Sequence, residues 1–208
     1  MEKFDNLEAI AVPMEVPNID TDQLIPKQFL KIVRRTGLGE NLFFDQRYDG
    51  DGAPLADFAL NKPNYTEAGI LVAGDNFGCG SSREHAVWAL MDFGIRCVIS
   101  TSFSDIFSGN AVKNGMLAAI VSPENLQILF DRMKEAPGIE LSIDLNAQTI
   151  TMPNFAPLPF DIDPFQKKKL LAGLDEITET LQFEDDIAAY EQKRRQSDIA
   201  FVPVPVSS

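Results

Sequence analysis

The chain is poor in the residues that carry most metal and covalent chemistry. Its 208 residues include two cysteines, one histidine and one tryptophan. Cys79 and Cys97 do not form a Cys-x-x-Cys pair. One histidine and two cysteines make no convincing zinc or iron–sulfur site within a single chain, so the metal set expected here is none. The plain reading of both cysteines is small, reduced thiols. No apolar run reaches about 18 residues, so no stretch reads as a membrane-spanning helix. The first residues are acidic and lack a secretory pattern, which makes the cytoplasm the expected location. Positive charge is also scarce: 18 Lys and Arg stand against 31 Asp and Glu, a net charge of −13. That argues against nucleic acid and anionic membrane as partners. Any anionic substrate then needs a local positive group to overcome the global field. The nucleotide motifs are missing too. Gly74, Gly78 and Gly80 lack G-x-G-x-x-G spacing, and no Gly-Lys-Ser/Thr follows them.

What is present is an ordinary globular composition, 45% hydrophobic, in a length that suggests one domain with an extension. At that size roughly 70% of the unfolded surface can be buried. The densest signal is the stretch Gly74-Asp75-Asn76-Phe77-Gly78-Cys79-Gly80-Ser81-Ser82-Arg83-Glu84-His85-Ala86. Apolar residues 68–73 before it read as a buried strand, and residues 86–93 after it as a helix with an apolar face. The glycines permit left-handed backbone and close approach to a ligand. Ser81 or Ser82 is the expected N-cap. The first N–H groups of the helix would then face an anion, with Arg83 offering a planar two-pronged donor for a carboxylate. A purely structural turn is the competing reading.

Elsewhere the patterning is plainer. Residues 4–14 read as a strand leading into the turn-rich Val16-Pro17-Asn18-Ile19-Asp20-Thr21-Asp22, in which Asp20 and Asp22 suit Asx-turns. Residues 27–33 suggest a short helix. Residues 34–66 look like a long, weakly structured and mobile insertion, of the kind that often carries function. Within it Arg34, Arg35 and Arg47 read either as carboxylate contacts or as solvated charge. Residues 96–100 give another strand, so strand–helix–strand implies a parallel pair. Residues 118–121 follow as a strand. Ser122 caps and Pro123 opens a helix whose Leu126, Leu129, Phe130 and Met133 share one face. A hairpin over 139–152 comes next. Asp163, Pro164 and Gly173 bound a helix containing three lysines read as solvated, and 184–195 is a last helix with acids early and bases late. Residues 201–208 are Val/Pro-rich. The boundaries implied are 1–159 for the main domain and 160–208 for a helical extension and tail.

The string from Asn76 to Ala86 closely resembles the signature of the swivelling domain of the aconitase superfamily, in particular its 3-isopropylmalate dehydratase small-subunit family of bacterial type. Residues 18–26, with Asn18, Ile19, Asp20, Thr21 and Asp22, resemble that family's early motif. Residues 102–117 resemble a third, although Gly109 and Ala119 depart from it, which weakens Asn110 and Lys113 as ligand contacts. Phe160–Phe165 and Gly173–Ile177 resemble the tail of the longer members. The resemblance implies a swivelling β/β/α fold, with β layers and helices on one side. It also implies a hydro-lyase that interconverts 2- and 3-isopropylmalate in leucine biosynthesis, through an unsaturated intermediate. By the same resemblance Ser81 is the catalytic base, and Ser82, Arg83, Gly80 and Arg47 bind the small hydroxy-dicarboxylate substrate. Asp22, Glu84 and His85 support them, the last two by holding Arg83 and the helix start. This chain would bind no cofactor. A large subunit would bring a [4Fe–4S] cluster and complete a heterodimer or heterotetramer. Substrate choice would lie in residues 34–50, where a small apolar pocket from Leu42, Phe43 or Phe44 would favour an isopropyl group and an added arginine a third carboxylate. Kindred substrates of methylmalate, dimethylmaleate or homoaconitate type, and a non-catalytic anion-binding subunit, are the alternatives.

Overall fold

A computed structural model describes residues 1–32, 34–173 and 184–196. The chain divides into two units, Met1–Gly173 and Leu174–Ser208. In chain order the first unit contains β1 (Asn6–Met14), the single turns α1 (Thr21–Leu24) and α2 (Phe44–Arg47), β2 (Ala68–Ala73), α3 (Glu84–Phe93), β3 (Cys97–Ser100), α4 (Asp105–Asn114), β4 (Leu117–Ile120), α5 (Pro123–Glu135), β5 (Glu140–Asp144), β6 (Thr149–Thr151), β7 (Leu158–Pro159) and α6 (Pro164–Ala172). The second contains α7 (Glu184–Gln196), whose residues 188–194 are exposed. The expected features at 174–177 and 201–208 lie outside the described residues.

The strands form one seven-stranded sheet in the order β4-β3-β2-β1-β5-β6-β7. β1, β2, β3 and β4 pair in parallel, and β5, β6 and β7 continue antiparallel from β1. β2 is buried along its whole length, as a continuous apolar run in the parallel half of a sheet should be. Alternate side chains serve two cores. Val12, Leu71, Val98 and Ala118 face one that holds α3, α4 and the 24–65 segment. Ala11, Ile70, Val72, Ile99 and Ala119 face another that holds α5, the hairpin and α6. The expectation of helices on one side therefore describes α3 and α4 only, because the predicted apolar stripe of α5 covers the opposite face.

Residues 160–173, assigned by sequence to the extension, pack into the first unit. Phe160, Ile162 and Leu170 are buried in its core, and Ile120 bridges Asp161. Lys167 is not simply solvated, since its ammonium donates to the Asn146 carbonyl and the Gln148 side chain at 2.8 and 2.9 Å. The 27–33 helix is a 3-10 segment over Lys27–Lys31. Segment 34–66 holds only short helical turns, yet Leu38, Leu42, Phe43, Leu60 and Tyr65 anchor it in the first core.

Candidate active site

Three loops leave the carboxyl ends of the parallel strands β1, β2 and β3 and meet. Ligands in open α/β sheets bind outside these ends. The loops are stitched by backbone bonds: Asn18 N–H to Asp75 O at 2.8 Å, Gly78 N–H to Ile19 O at 2.8 Å, Thr21 N–H to Cys79 O at 3.0 Å, and Phe77 N–H to Ser102 O at 3.0 Å. Side chains add to them. Ser104 Oγ donates to Gly78 O at 2.6 Å, Ser100 Oγ to Gly74 O at 2.7 Å, and Asn76 to Asn18 Oδ1 at 2.8 Å. Asn18 and Asn76 both take left-handed backbone, which asparagine tolerates better than most residues. Gly78 is required twice over. Its φ is +72°, and a Cβ there would lie 2.3 Å from Cγ of Phe107. Phe77, Phe103 and Phe107 fill the space beneath the turn.

The turn ends with Gly80 in left-handed backbone and with Ser81 and Ser82 exposed. Neither serine caps α3, contrary to expectation. The helix opens at Glu84, its N-cap is Arg83, and no side chain supplies the capping bond. Ser81 lies too early to cap. Its carbonyl is instead held by the buried Thr21, whose hydroxyl donates to it at 2.9 Å. The N–H groups of Gly80, Ser81 and Ser82 have no acceptor among the described residues. Beside them lies Arg83, its side chain 10% exposed and paired with Asp22, whose own side chain is 42% exposed. Asp20, the N-cap of α1, accepts from Gln23 N–H, which is a structural role.

Glu84 and His85 do not hold Arg83; Asp22 does. Glu84 accepts from Asn114 Nδ2 at 2.8 Å, and Asn114 Oδ1 accepts from Trp88 at 3.1 Å, which ties α3 to α4. His85 Nε2 meets the Ile32 carbonyl at 3.1 Å. Arg47 is engaged structurally. Its Nε donates to Asn61 Oδ1 at 2.7 Å and its Nη1 to Gly39 O at 3.2 Å, with the guanidinium over Phe93. Leu42 and Phe43 are fully buried, so neither is free to line a substrate pocket, and half-buried Phe44 packs on Phe29 and Tyr48. Among the described residues no three His, Cys, Asp or Glu side chains come together as metal ligands. Burial pushes the Cys97 thiol far up from its ordinary range. Asp75, beside the site, is held below its ordinary range by the hydroxyls of Ser102 and Thr101, with a smaller contribution from the Asn76 N–H.

Thr21, Asn18, Ser102 and Ser104 set this geometry, and the sequence reading assigned them no role at the site. The available signal was their place inside the two flanking motifs.

Comparisons with known proteins show the family to which the fold belongs. Residues 1–124 match the aconitase C-terminal domain, and residues 176–197 match the C-terminal domain of the 3-isopropylmalate dehydratase small subunit. A 3-isopropylmalate dehydratase small subunit from Caulobacter vibrioides is 56% identical, over 93% of this chain and 96% of that one. One from Methylorubrum populi is 58% identical, over 96% of this chain and 100% of that one. The crystal structure of a 3-isopropylmalate dehydratase from Methanocaldococcus jannaschii superposes with a TM-score of 0.63 at 26% identity, covering 89% of this chain and 99% of that one. The exposed Ser81–Ser82 turn and the paired Arg83 thus sit on a fold and in a sequence context shared with these enzymes, and the chain belongs to the 3-isopropylmalate dehydratase small-subunit family, whose first domain is that of the aconitases.

Proposed function

We propose that this chain supplies the proton-transferring serine and the carboxylate clamp to a site completed by a large subunit, and that the pair interconverts 2- and 3-isopropylmalate. The observation that carries the reading is the local contrast of exposure. Ser81 and Ser82 are exposed on a braced turn, while the Arg83 side chain beside them is largely buried and held by one carboxylate. A buried guanidinium is pre-oriented for a second carboxylate, that of the substrate. Ser81 Oγ takes a proton from the carbon next to that carboxylate, giving an unsaturated diacid, and returns it on rehydration. The leaving hydroxyl takes a second proton from an acid assigned to the large subunit and departs as water, and water returns that proton to the same acid on rehydration.

Ser81 is a weak base on its own. A serine hydroxyl lies far above tyrosine's value of about 10. The start of a helix stabilises negative charge by roughly 0.3–2 kcal/mol, about one pKa unit, which cannot close that gap. No side chain among the described residues hydrogen-bonds the Ser81 hydroxyl, so none of them acts as a neighbouring base to activate it. The N–H groups of Gly80, Ser81 and Ser82, with Arg83, supply part of the stabilisation in a site closed to water. The rest, including the [4Fe–4S] cluster expected of the family, is assigned to the large subunit.

The test is anaerobic assembly with the large subunit of the same organism, followed by the ultraviolet absorbance of the alkene intermediate from 2-isopropylmalate. Turnover by the pair, and none by either subunit alone, supports the reading. Turnover by this chain alone refutes the shared site. A stable complex inert to isopropylmalate but active on methylmalate or homoaconitate moves the substrate and keeps the machinery. A complex inert to all of these, with a loaded cluster, favours an anion-binding regulatory subunit.

A further inference from the structure

Helix α3 carries more than Arg83. His85, Trp88 and Asp92 stand at i, i+3 and i+7, on one face of the helix. Each meets the same incoming segment in the same order. His85 Nε2 meets the Ile32 carbonyl at 3.1 Å. The Arg35 guanidinium lies over the Trp88 ring at 5.4 Å, and the His85 ring tilts against the same indole at 4.7 Å. Asp92 Oδ2 accepts the N–H groups of Gly37, Leu38 and Gly39 at 2.9, 2.8 and 2.7 Å. Gly39 is needed for that approach, since a Cβ there would lie 2.6 Å from Phe93 N. The three residues form a rail along which the segment is laid, from the first turn of α3 to its last.

The rail's first contact is two residues from Arg83. A carbonyl oxygen only accepts, so His85 Nε2 must carry a hydrogen, which excludes the tautomer protonated at Nδ1 alone. We propose that His85 is a positioning residue for substrate affinity. Its hydrogen bond to Ile32 sets where the segment bearing exposed Arg34 and Arg35 sits beside the start of α3. In a chain of net charge −13 these two arginines, with Arg83, are the local positive field an anionic substrate meets. His85 acts through that segment and has no part in the proton transfer.

The experiment has two arms. In the first, the whole chain is digested briefly with trypsin, and peptides ending at Arg34 and Arg35 are followed by mass spectrometry, with cleavage at Lys134 as the internal reference. Cleavage requires local opening, so its rate follows the open population. Losing one hydrogen bond, worth about 0.5–1.5 kcal/mol, raises that population by roughly 2- to 10-fold. His85→Ala and His85→Phe should both accelerate cleavage by that factor relative to Lys134. His85→Phe keeps the ring on Trp88 and remains informative if His85→Ala folds poorly. His85→Gln, whose amide can donate to Ile32, should stay within about twofold of the parent. In the second arm, which rests on the proposed isopropylmalate activity, the complex with the large subunit should show KM raised by a similar factor in His85→Ala, with kcat nearly unchanged, and recovery in His85→Gln. Parental cleavage in His85→Ala overturns the proposal. So does a His85→Gln variant as labile as His85→Ala, or a fall in kcat at constant KM. If the unsubstituted complex ignores isopropylmalate, the substrate assignment fails and the proteolysis arm still decides the rail.

Discussion

The starts of α3 and α5 are built in opposite ways. Ser122 caps α5, accepting from Asn125 N–H at 3.2 Å, with Pro123 at the first position. α4 and α6 follow the same plan, capped by Ser104 and Asp163. α3 has serines one and two residues before its N-cap and uses neither, and Arg83 at the cap makes no capping bond. An unused cap forgoes about 1 kcal/mol. The fold spends effort around α3 all the same, since three loops are braced to hold that one turn. The difference teaches that α5 begins for stability, whereas the start of α3 leaves N–H groups, two hydroxyls and a buried guanidinium available for a ligand.

The largest expected break in that contrast comes from Arg83→Ser, which gives α3 the kind of cap that α4 and α5 have. Removing one partner of a desolvated charge pair costs about 2–5 kcal/mol, so kcat/KM of the assembled enzyme should fall by roughly 10³-fold. The new cap offsets part of the lost Asp22 pair, and the melting temperature should move by only a few degrees. Gly78→Ala attacks the bracing. Overlap with Phe107 at left-handed backbone should destabilise the chain by about 2–4 kcal/mol in urea unfolding, and weaken turnover by displacing the turn. Ser122→Ala removes the ordinary cap, costing about 1 kcal/mol in the same measurement with no change in kcat. The smallest effect is acidic. The Asp75 carboxyl is lowered on folding, so its contribution is present above the ordinary value of 3.8 and is lost as pH falls through the folded one. The stability difference between parent and Asp75→Asn should be flat at neutral pH and shrink below about pH 4.

Much of this was legible in the sequence because it is local. The β2–turn–α3 unit, the stripe and cap of α5, the hairpin, and the Asp163–Gly173 bounds of α6 depend on neighbours within a few residues. The turn that carries the candidate site was legible too, since its motif is continuous. The cap of α3 was misread because propensity favours serine there, while Thr21, 60 residues away, holds the Ser81 carbonyl. Segment 34–66 looked structureless because its order is tertiary. Asp92 takes the backbone of 37–39 from more than 50 residues away, and Leu42 and Phe43 are buried in a core assembled from other elements. Of the two phenylalanines considered for a substrate pocket, Phe43 is spent on that core and half-buried Phe44 packs on Phe29 and Tyr48.

The central claim is that Ser81 moves the proton while Arg83 holds the carboxylate. The most direct test is Ser81→Ala in the assembled complex, with substrate affinity measured by calorimetry and turnover measured on the same preparation. The account predicts a kcat lower by about 10²–10⁴-fold, the range for losing a positioned base, with affinity within about threefold of the parent. Turnover within tenfold of the parent would contradict it and give the proton to another group.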